Sequence, residues 1–280
     1  MRTAIFTVLA LVAFAMNSIL CRLALGAGAI DAASFSGIRL GSGAAMLLLI
    51  SLALRRGIPR VEGGHWVSSS LLFLYAIGFS LAYVSLSAGT GALLLFGTVQ
   101  ATMLMAVLRS GERPHALVWC GLCLALAGIV YLVLPGLTAP PLVRSSLMVL
   151  AGVSWGLYSL RGRRATDPLL ETTYNFIYAL PLAAVAVLAL SGGLHASAKG
   201  VMLAVLSGAI ASGVGYVIWY EALKGLTATR AATVQLSVPL LAAAGGALLL
   251  SEGLTTRLLI SAVLILGGVG AALAGRARKR

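Results

Sequence analysis

The chain has 280 residues, of which 60% are hydrophobic and only 10% are charged, and its formal net charge is +13. Seven acidic residues cannot keep so apolar a chain in solution, and repeated apolar runs of about 20 residues are typical of polytopic membrane proteins. The basic residues are scattered between the apolar runs, where they act as topology signals and form no nucleic-acid-binding patch. The composition therefore excludes a soluble domain, and we expect a lipid bilayer and no nucleic acid as partner.

Ten membrane-spanning helices are predicted, so the expected fold is an all-α membrane protein. The first begins like a signal peptide, but its apolar run continues past Cys21, and we expect it to remain uncleaved. Short connections rich in Gly, Pro, Ser or charge separate the spans and leave no room for a soluble domain. In chain order the predicted spans are residues 3–25, 32–54, 66–87, 90–108, 115–134, 145–164, 169–190, 200–222, 227–250 and 256–275.

The distribution of Lys and Arg predicts the orientation. If the N-terminus is cytoplasmic, fifteen basic residues lie at the inner ends of the spans and five lie outside or in the outer half. Cytoplasmic loops carry the excess of Lys and Arg, so both termini are expected in the cytoplasm. We expect the protein in the inner (plasma) membrane of a bacterium.

An internal repeat divides the chain. Thr98-Val99-Gln100 recurs 135 residues later as Thr233-Val234-Gln235, and Glu112 recurs 140 residues later as Glu252. The halves are residues 1–137 and 142–280, with five spans each. Because five is odd, the second half enters the membrane from the opposite side, which predicts inverted repeats and the alternating access of secondary transporters.

The two halves resemble the EamA domains of the drug/metabolite transporter superfamily. The resemblance covers almost the whole chain and is carried by Trp155-Gly156 in the sixth span, Pro239 with Glu252 in the ninth, and glycine-spaced runs after each Glu. Those runs contain Gly121 with Gly128 and Ser261 with Gly268, and Asn17 and Arg22 match polar positions of the first span. The first half departs from the pattern in two places, since Phe14-Ala15 replaces Trp-Gly and no Pro precedes Glu112. Within the superfamily the chain is most similar to YddG-like bacterial exporters of aromatic and other amino acids.

Polar and aromatic side chains at mid-depth are the candidate substrate contacts, because a polar group in hydrocarbon needs a partner and usually turns inward. Tyr75, Phe79 and Tyr83 share one helix face at i, i+4 and i+8. Gln100 and Gln235 are repeat-related amides, whose alternative role is to tie helices together. The full set is Asn17, Tyr75, Phe79, Tyr83, Gln100, Trp155, Tyr158, Gln235 and Arg39.

Arg39 lies about eight residues into the second span, where an Arg is costly. We expect it either to reach outward to the interface or to face the cavity and hold a substrate carboxylate. Tyr216, Trp219 and Pro239 are the expected gating residues, since a proline can kink the ninth span. Glu112 and Glu252 are expected to brace the ends of the fourth and ninth spans.

The sequence therefore predicts an exporter of small metabolites, most of all amino acids including aromatic ones, that acts as a monomer with no enzymatic activity, cofactor or metal site. All seven acidic residues fall in loops or at span ends, which favours facilitated transport over a carboxylate proton relay. The alternatives are an exporter of cationic drugs or another metabolite, a membrane-embedded enzyme, and a scaffold. The solitary His65, His115 and His195 argue against the enzyme.

Overall fold

A computed structural model gives the fold. It describes residues 2–54, 66–109, 116–134, 139–162, 165–190, 193–226 and 228–277, and these ranges are almost entirely helical. The helices are α1 (Arg2–Gly26), α2 (Ala32–Ala53), α3 (Trp66–Tyr83), α4 (Ala88–Arg109), α5 (Ala116–Val133), α6 (Leu142–Gly162), α7 (Pro168–Ala189), α8 (Ala198–Val205), α9 (Gly215–Leu223), α10 (Ala228–Gln235), α11 (Ser237–Leu250) and α12 (Thr256–Ala277).

The described chain forms an all-α membrane protein, as predicted. Nine of the described helical segments are long and apolar enough to cross a membrane, counting Ala198–Leu223 and Ala231–Leu250 as one segment each. The remaining segment, α6, carries Arg144 and Arg161 near its ends and occupies the sixth place in the bundle, against α3 and α4. The third span is shorter than predicted, because the chain turns after Tyr83 and the Leu86 N–H bonds back to the Ala82 carbonyl.

Two spans are irregular. In the eighth, a π-helical segment (Leu206–Val214) connects α8 to α9 without a break. The ninth is interrupted at Leu236, between α10 and α11. Pro239 explains the interruption, because it has no N–H to bond the Gln235 carbonyl and its ring crowds that carbonyl. The predicted bend of the ninth span thus falls one turn before the proline.

The helix contacts follow a regular pattern. The third span packs on the sixth and the eighth on the first; the fourth packs on the sixth and the ninth on the first. The second contacts the eighth, and the seventh contacts the third. The second and seventh spans also pack on each other, as do the fifth and tenth. Each of these contacts therefore has a counterpart when span numbers are shifted by five.

The seam between α5 and α12 depends on glycine. A Cβ on Gly121 would collide with the Gly268 carbonyl oxygen, and a Cβ on Gly268 would lie 2.6 Å from the Ala125 nitrogen. Gly128 is similarly close to Ile265, with 2.8 Å to its side chain. The glycine-spaced runs of the two halves thus meet at one helix crossing, where the backbones approach without intervening side chains.

The bundle has two ends. The end where α1 begins and α9 finishes is called the terminal face, and there Thr3 lies against Gly225. The other end, where α1 and α11 finish, is called the Glu252 face. Asp31 caps α2 at the Glu252 face and accepts hydrogen bonds from the backbone N–H groups of Ser34 and His195. Partial burial opposes the charged carboxylate there, but these hydrogen bonds outweigh it and hold the pKa of Asp31 below its ordinary value.

Candidate functional site

A cavity of about 400 Å³ lies at the terminal face, within the range of small-molecule sites. Its rim contains helix ends, with Leu54, Gly162 and Lys224, so the cavity is entered from that face. Its deeper wall is aromatic. Of the amide side chains predicted to contact substrate, Gln235 lines this cavity. The aromatic wall consists of Trp155, Tyr158, Tyr216, Trp219 and Tyr220.

Trp155 is the centre of the aromatic cluster. Its ring stacks on Tyr158 with centroids 5.3 Å apart, and it contacts Tyr216 at 5.2 Å and Tyr75 at 4.8 Å. Phe14, the residue that stands where the family resemblance expects Trp, packs edge-on against Tyr216 and Trp219. Four helices therefore supply one connected aromatic cluster, and the part of it on α6 and α9 faces the open cavity, which suits a flat or apolar ligand.

A second, small cavity of about 20 Å³ lies beyond this surface. Trp155 and Tyr216 line both cavities, so their rings form a wall between them, called here the aromatic partition. The small cavity has a partly polar lining, since Asn17, Ser18 and Tyr75 line it together with Phe79. The predicted residues Asn17, Tyr75 and Phe79 are thus brought together, but on the far side of the partition from the open cavity.

A buried polar network surrounds the small cavity. The Arg39 Nη2 donates to the Tyr75 hydroxyl at 2.9 Å, and the Asn17 amide donates to the same hydroxyl at 3.4 Å. The π segment contributes two serines. Ser207 donates to the Asn17 oxygen at 2.6 Å, and Ser212 accepts from Arg39 Nε at 3.3 Å.

The π segment explains how both serines reach the network. Its i→i+5 hydrogen bonding places residues five apart about one turn apart, which an α-helix would not do. Gly208 allows the π segment to approach α2 closely, because a Cβ there would collide with the Arg39 carbonyl oxygen and the Ser42 hydroxyl.

Sequence reasoning missed both serines of the network, Ser207 and Ser212. The sequence feature that could have indicated them is a repeated Ser-Gly pair, Ser207-Gly208 and Ser212-Gly213, at a spacing of five within an apolar run.

Arg39 neither reaches outward to the interface nor lines either cavity. It is 2% exposed, and its guanidinium lies over the rings of Tyr75 and Phe79 at 5.1 and 5.0 Å from their centroids. Nη1 makes no hydrogen bond. The ion pairs found among the described residues are Arg22–Glu252 and Lys224–Glu221, so Arg39 has no carboxylate partner there.

Side-chain contacts link the helices at the Glu252 face. Arg22 Nε and Glu252 Oε1 are 2.9 Å apart, and the other carboxylate oxygen accepts the Ala88 N–H at 2.7 Å. Arg22 Nη1 donates to the carbonyl oxygens of Tyr83 and Val84. These contacts, called here the Arg22–Glu252 bridge, join α1, the α3–α4 turn and the end of α11. Glu252 follows α11 and does not lie within it.

The remaining predicted residues have different environments. The Tyr83 hydroxyl donates to the Ala88 carbonyl, and its ring packs on Phe79, away from both cavities. Gln100 is buried and donates from Nε2 to the Ala232 carbonyl at 3.3 Å, so it joins α4 to α10. Pro239 is buried in the first turn of α11. Glu112 lies outside the described residues.

The described acidic residues do not enter the polar network. Asp31 and Asp167 cap helices, Glu171 lies in the first turn of α7, and Glu221 pairs with Lys224 near the end of α9. In the part of the chain that the structure describes, no three His, Cys, Asp or Glu side chains come together to hold a metal ion.

Comparisons with known proteins find a family match in the second half of the chain. Residues 145–273 match the model of the EamA-like transporter family. The uncharacterized protein PA1977 of Pseudomonas aeruginosa is 53% identical over 275 residues, covering 98% of this chain and 96% of that protein. The probable amino-acid metabolite efflux pump of Escherichia coli is 28% identical over 210 residues, 70% of each chain. One crystal structure shares the fold with a TM-score of 0.70 at 17% identity, over 96% of each chain. Residues 145–273 are thus similar to the EamA-like transporter family, and the described helices make the chain a multi-pass membrane protein.

Proposed function

We propose that this protein exports small metabolites, most of all amino acids including aromatic ones, across the bacterial inner membrane. The observation that carries the proposal is the aromatic-walled cavity of about 400 Å³, which is entered from the terminal face while the Arg22–Glu252 bridge closes the other. A site accessible from one side at a time is what alternating access requires. Similarity to the probable amino-acid metabolite efflux pump of Escherichia coli supports the substrate class.

The cavity suits a substrate with a flat or apolar body. Trp155, Tyr158 and Trp219 offer ring faces, while Gln235 and the tyrosine hydroxyls can bond a polar head group. Tyr216 and Trp219 lie where the cavity meets Phe14 of α1, which is the position expected of gating residues. Pro239 and the interruption at Leu236 give the ninth span a place to bend.

Inverted repeats 1–137 and 142–280 account for both states of the cycle. The span contacts support this arrangement, because a contact between two spans recurs between the spans numbered five higher. An inverted repeat produces such equivalent contacts at the two faces. Movement of one half against the other opens the Glu252 face as the terminal face closes. Both termini are cytoplasmic in this proposal, the unit is a monomer, and transport is facilitated.

Reconstituted transport tests the proposal. Purified protein in liposomes should take up labelled tryptophan, phenylalanine and threonine in a saturable way that a pH gradient does not change. Trp155→Ala should reduce tryptophan uptake at least about tenfold, since a buried aromatic contact contributes about 1.4 kcal/mol or more. Trp119→Ala is the matched control, because Trp119 is 48% exposed on α5, and should leave uptake unchanged. Saturable uptake of none of the three by folded protein would refute the substrate class, and uptake driven only by a pH gradient would refute facilitation.

The orientation has its own test. Cysteines introduced at Thr166 and Ala196 lie on opposite faces in exposed positions. In intact cells an impermeant thiol reagent should label Ala196→Cys and should label Thr166→Cys only after the membrane is permeabilised. The reverse pattern would place the termini outside the cytoplasm.

A further inference from the structure

We infer that Arg39 and the small cavity beside it form a binding site for the carboxylate of the transported molecule, and that this site selects net anions over zwitterions and cations. The inference rests on the proposed transport function and specifies the charge of its substrate. It goes beyond the amino acids of the proposed function, because an amino acid is a zwitterion at neutral pH: the preferred species is an organic monocarboxylate with a flat or apolar body, and amino acids are transported with lower affinity.

The first support is a buried positive charge without a counterion. Arg39 is 2% exposed, and its hydrogen bonds go from Nε to Ser212 and from Nη2 to Tyr75, both neutral hydroxyls. Nη1 has no partner. A buried charge is normally paired, because desolvation strongly disfavours an isolated one. Arg39 therefore has an unfilled requirement for an anion.

The second support is a set of unused donors at and next to the small cavity. Ser18 Oγ is buried without a partner and lines the small cavity. The Tyr75 hydroxyl accepts from both Arg39 and Asn17, so its own proton is left to donate. Ser18 and Tyr75 therefore offer two donors at the small cavity, and Arg39, which bonds Tyr75 through Nη2 without lining the cavity, has Nη1 as a third. A carboxylate can accept such donors through both oxygens.

The third support is the route. The open cavity and the small cavity share the rings of Trp155 and Tyr216, so a rotation of the aromatic partition joins them. A substrate that keeps its flat body among Trp155, Tyr158 and Trp219 would then extend its carboxylate past the partition to Tyr75 and Arg39. The small cavity must widen during this step, because about 20 Å³ does not hold a carboxylate.

The selectivity follows from what the site lacks. An α-ammonium group bonded to the carbon beside the carboxylate would be held close to the guanidinium, and like charges at that distance repel. None of the described carboxylates is in the network to compensate it. The faces of Tyr75 and Phe79, which could attract a cation, are already occupied by Arg39.

The charge of the substrate also supplies a driving force. A monoanion leaving the cell moves down the membrane potential, and a potential of about 100 mV sustains a roughly 50-fold concentration ratio for one charge. A facilitator that carries an anion therefore exports it without a proton relay, whereas a zwitterion gains nothing from the potential.

A matched ligand series tests the inference. Binding of 3-phenylpropanoate, phenylalanine and 2-phenylethylamine, which share one ring and differ in charge, is measured by quenching of tryptophan fluorescence in the purified full-length protein. Wild-type protein should bind the phenylpropanoate anion at least about tenfold more tightly than phenylalanine, and the amine weakest of all. Arg39→Gln should abolish the preference for the anion, while Arg39→Lys should retain part of it.

Two further variants keep the test decisive if Arg39→Gln does not fold. Ser18→Ala and Tyr75→Phe remove one donor each and should weaken phenylpropanoate binding more than phenylethylamine binding. Equal affinity of wild-type protein for phenylpropanoate and phenylalanine would overturn the inference, as would an anion preference that survives Arg39→Gln.

Transport in proteoliposomes separates this inference from the proposed function. A potassium diffusion potential, negative on the substrate side, should accelerate phenylpropanoate transport and not phenylalanine transport. Transport of both at rates indifferent to the potential would overturn the anion site and leave the exporter in place. Transport of neither would refute the exporter itself.

Discussion

The Arg22–Glu252 bridge should hold the Glu252 face closed, and Glu252→Gln isolates its charge. The amide oxygen can still accept the Ala88 N–H, so the variant loses the charge-assisted bond to Arg22 and little else. Such a bond contributes about 1.5–3 kcal/mol. The side chains of Arg22 and Glu252 are 24% and 15% exposed, so solvent reduces the effect, and we take about 1.5 kcal/mol. The open population at this face should therefore rise about tenfold.

Cys21 provides the assay, because it is fully buried in α1 beside Arg22. In a background in which the exposed Cys120 and Cys123 are replaced by Ala, Cys21 is the remaining thiol of the chain. A small impermeant thiol reagent added at the Glu252 face should modify it about ten times faster in Glu252→Gln than in the parent.

Glu221→Gln is the matched control for this measurement. It removes the Lys224–Glu221 pair, an exposed i,i+3 contact near the terminal face, and should leave Cys21 labelling unchanged. If Glu252→Gln labels Cys21 at the parent rate while its thermal unfolding is normal, the bridge does not control closure. Equal acceleration in the Glu221→Gln control would indicate general loosening of the bundle and refute the local argument.

Three other predictions concern packing, the amides and a helix cap. Gly121→Leu should lower the melting temperature sharply, since overpacking costs about 1–3 kcal/mol or more, whereas Gly267→Leu, which meets open space, should not; equal effects would contradict the seam. Gln100→Leu should reduce stability by about 1 kcal/mol and spare transport per folded protein, whereas Gln235→Leu should reduce uptake and spare stability; the reverse outcome would exchange their roles. Asp31→Asn keeps the cap but removes the charge. Because the folded pKa of Asp31 is lowered, the carboxylate stabilises the fold above its unfolded pKa of about 3.9, and this advantage over Asn should vanish as pH falls through the lower folded pKa. A difference in melting temperature that does not depend on pH would refute this reasoning.

The helices were predictable because the bilayer fixes the length and apolarity of a span, so the described spans agree with the predicted ones to within a few residues. Tyr75, Phe79 and Tyr83 were predictable as a face because α-helical spacing places i, i+4 and i+8 together. The contacts of Gln100 and Gln235 could not be predicted from the sequence. Their repeat relation is a property of sequence, while the interruption at Leu236 changes which surface the second amide meets.

The environment of Arg39 was also beyond sequence reasoning. Insertion scales treat an Arg in a span as a residue that must find water or a partner, and they predict the interface or an open cavity. The structure instead places its guanidinium over the rings of Tyr75 and Phe79 and against Ser212, which belongs to the π segment. A local change of helical hydrogen bonding thus provides a partner for a charge on another helix. Hydropathy values are assigned residue by residue and do not describe contacts between helices.

Helix α1 connects the closure to the candidate anion site. Ser18 and Arg22 are four residues apart and lie on one face of α1, so the helix carries one donor of the small cavity and one partner of the bridge. The same helix contributes Asn17 to the bond with Ser207 and Phe14 to the aromatic wall. A tilt of α1 that breaks the Arg22–Glu252 bridge must therefore also displace Ser18 from the cavity and lengthen the Asn17–Ser207 bond. Opening at the Glu252 face and release of a bound carboxylate are then one movement, because a rigid helix cannot perform either alone.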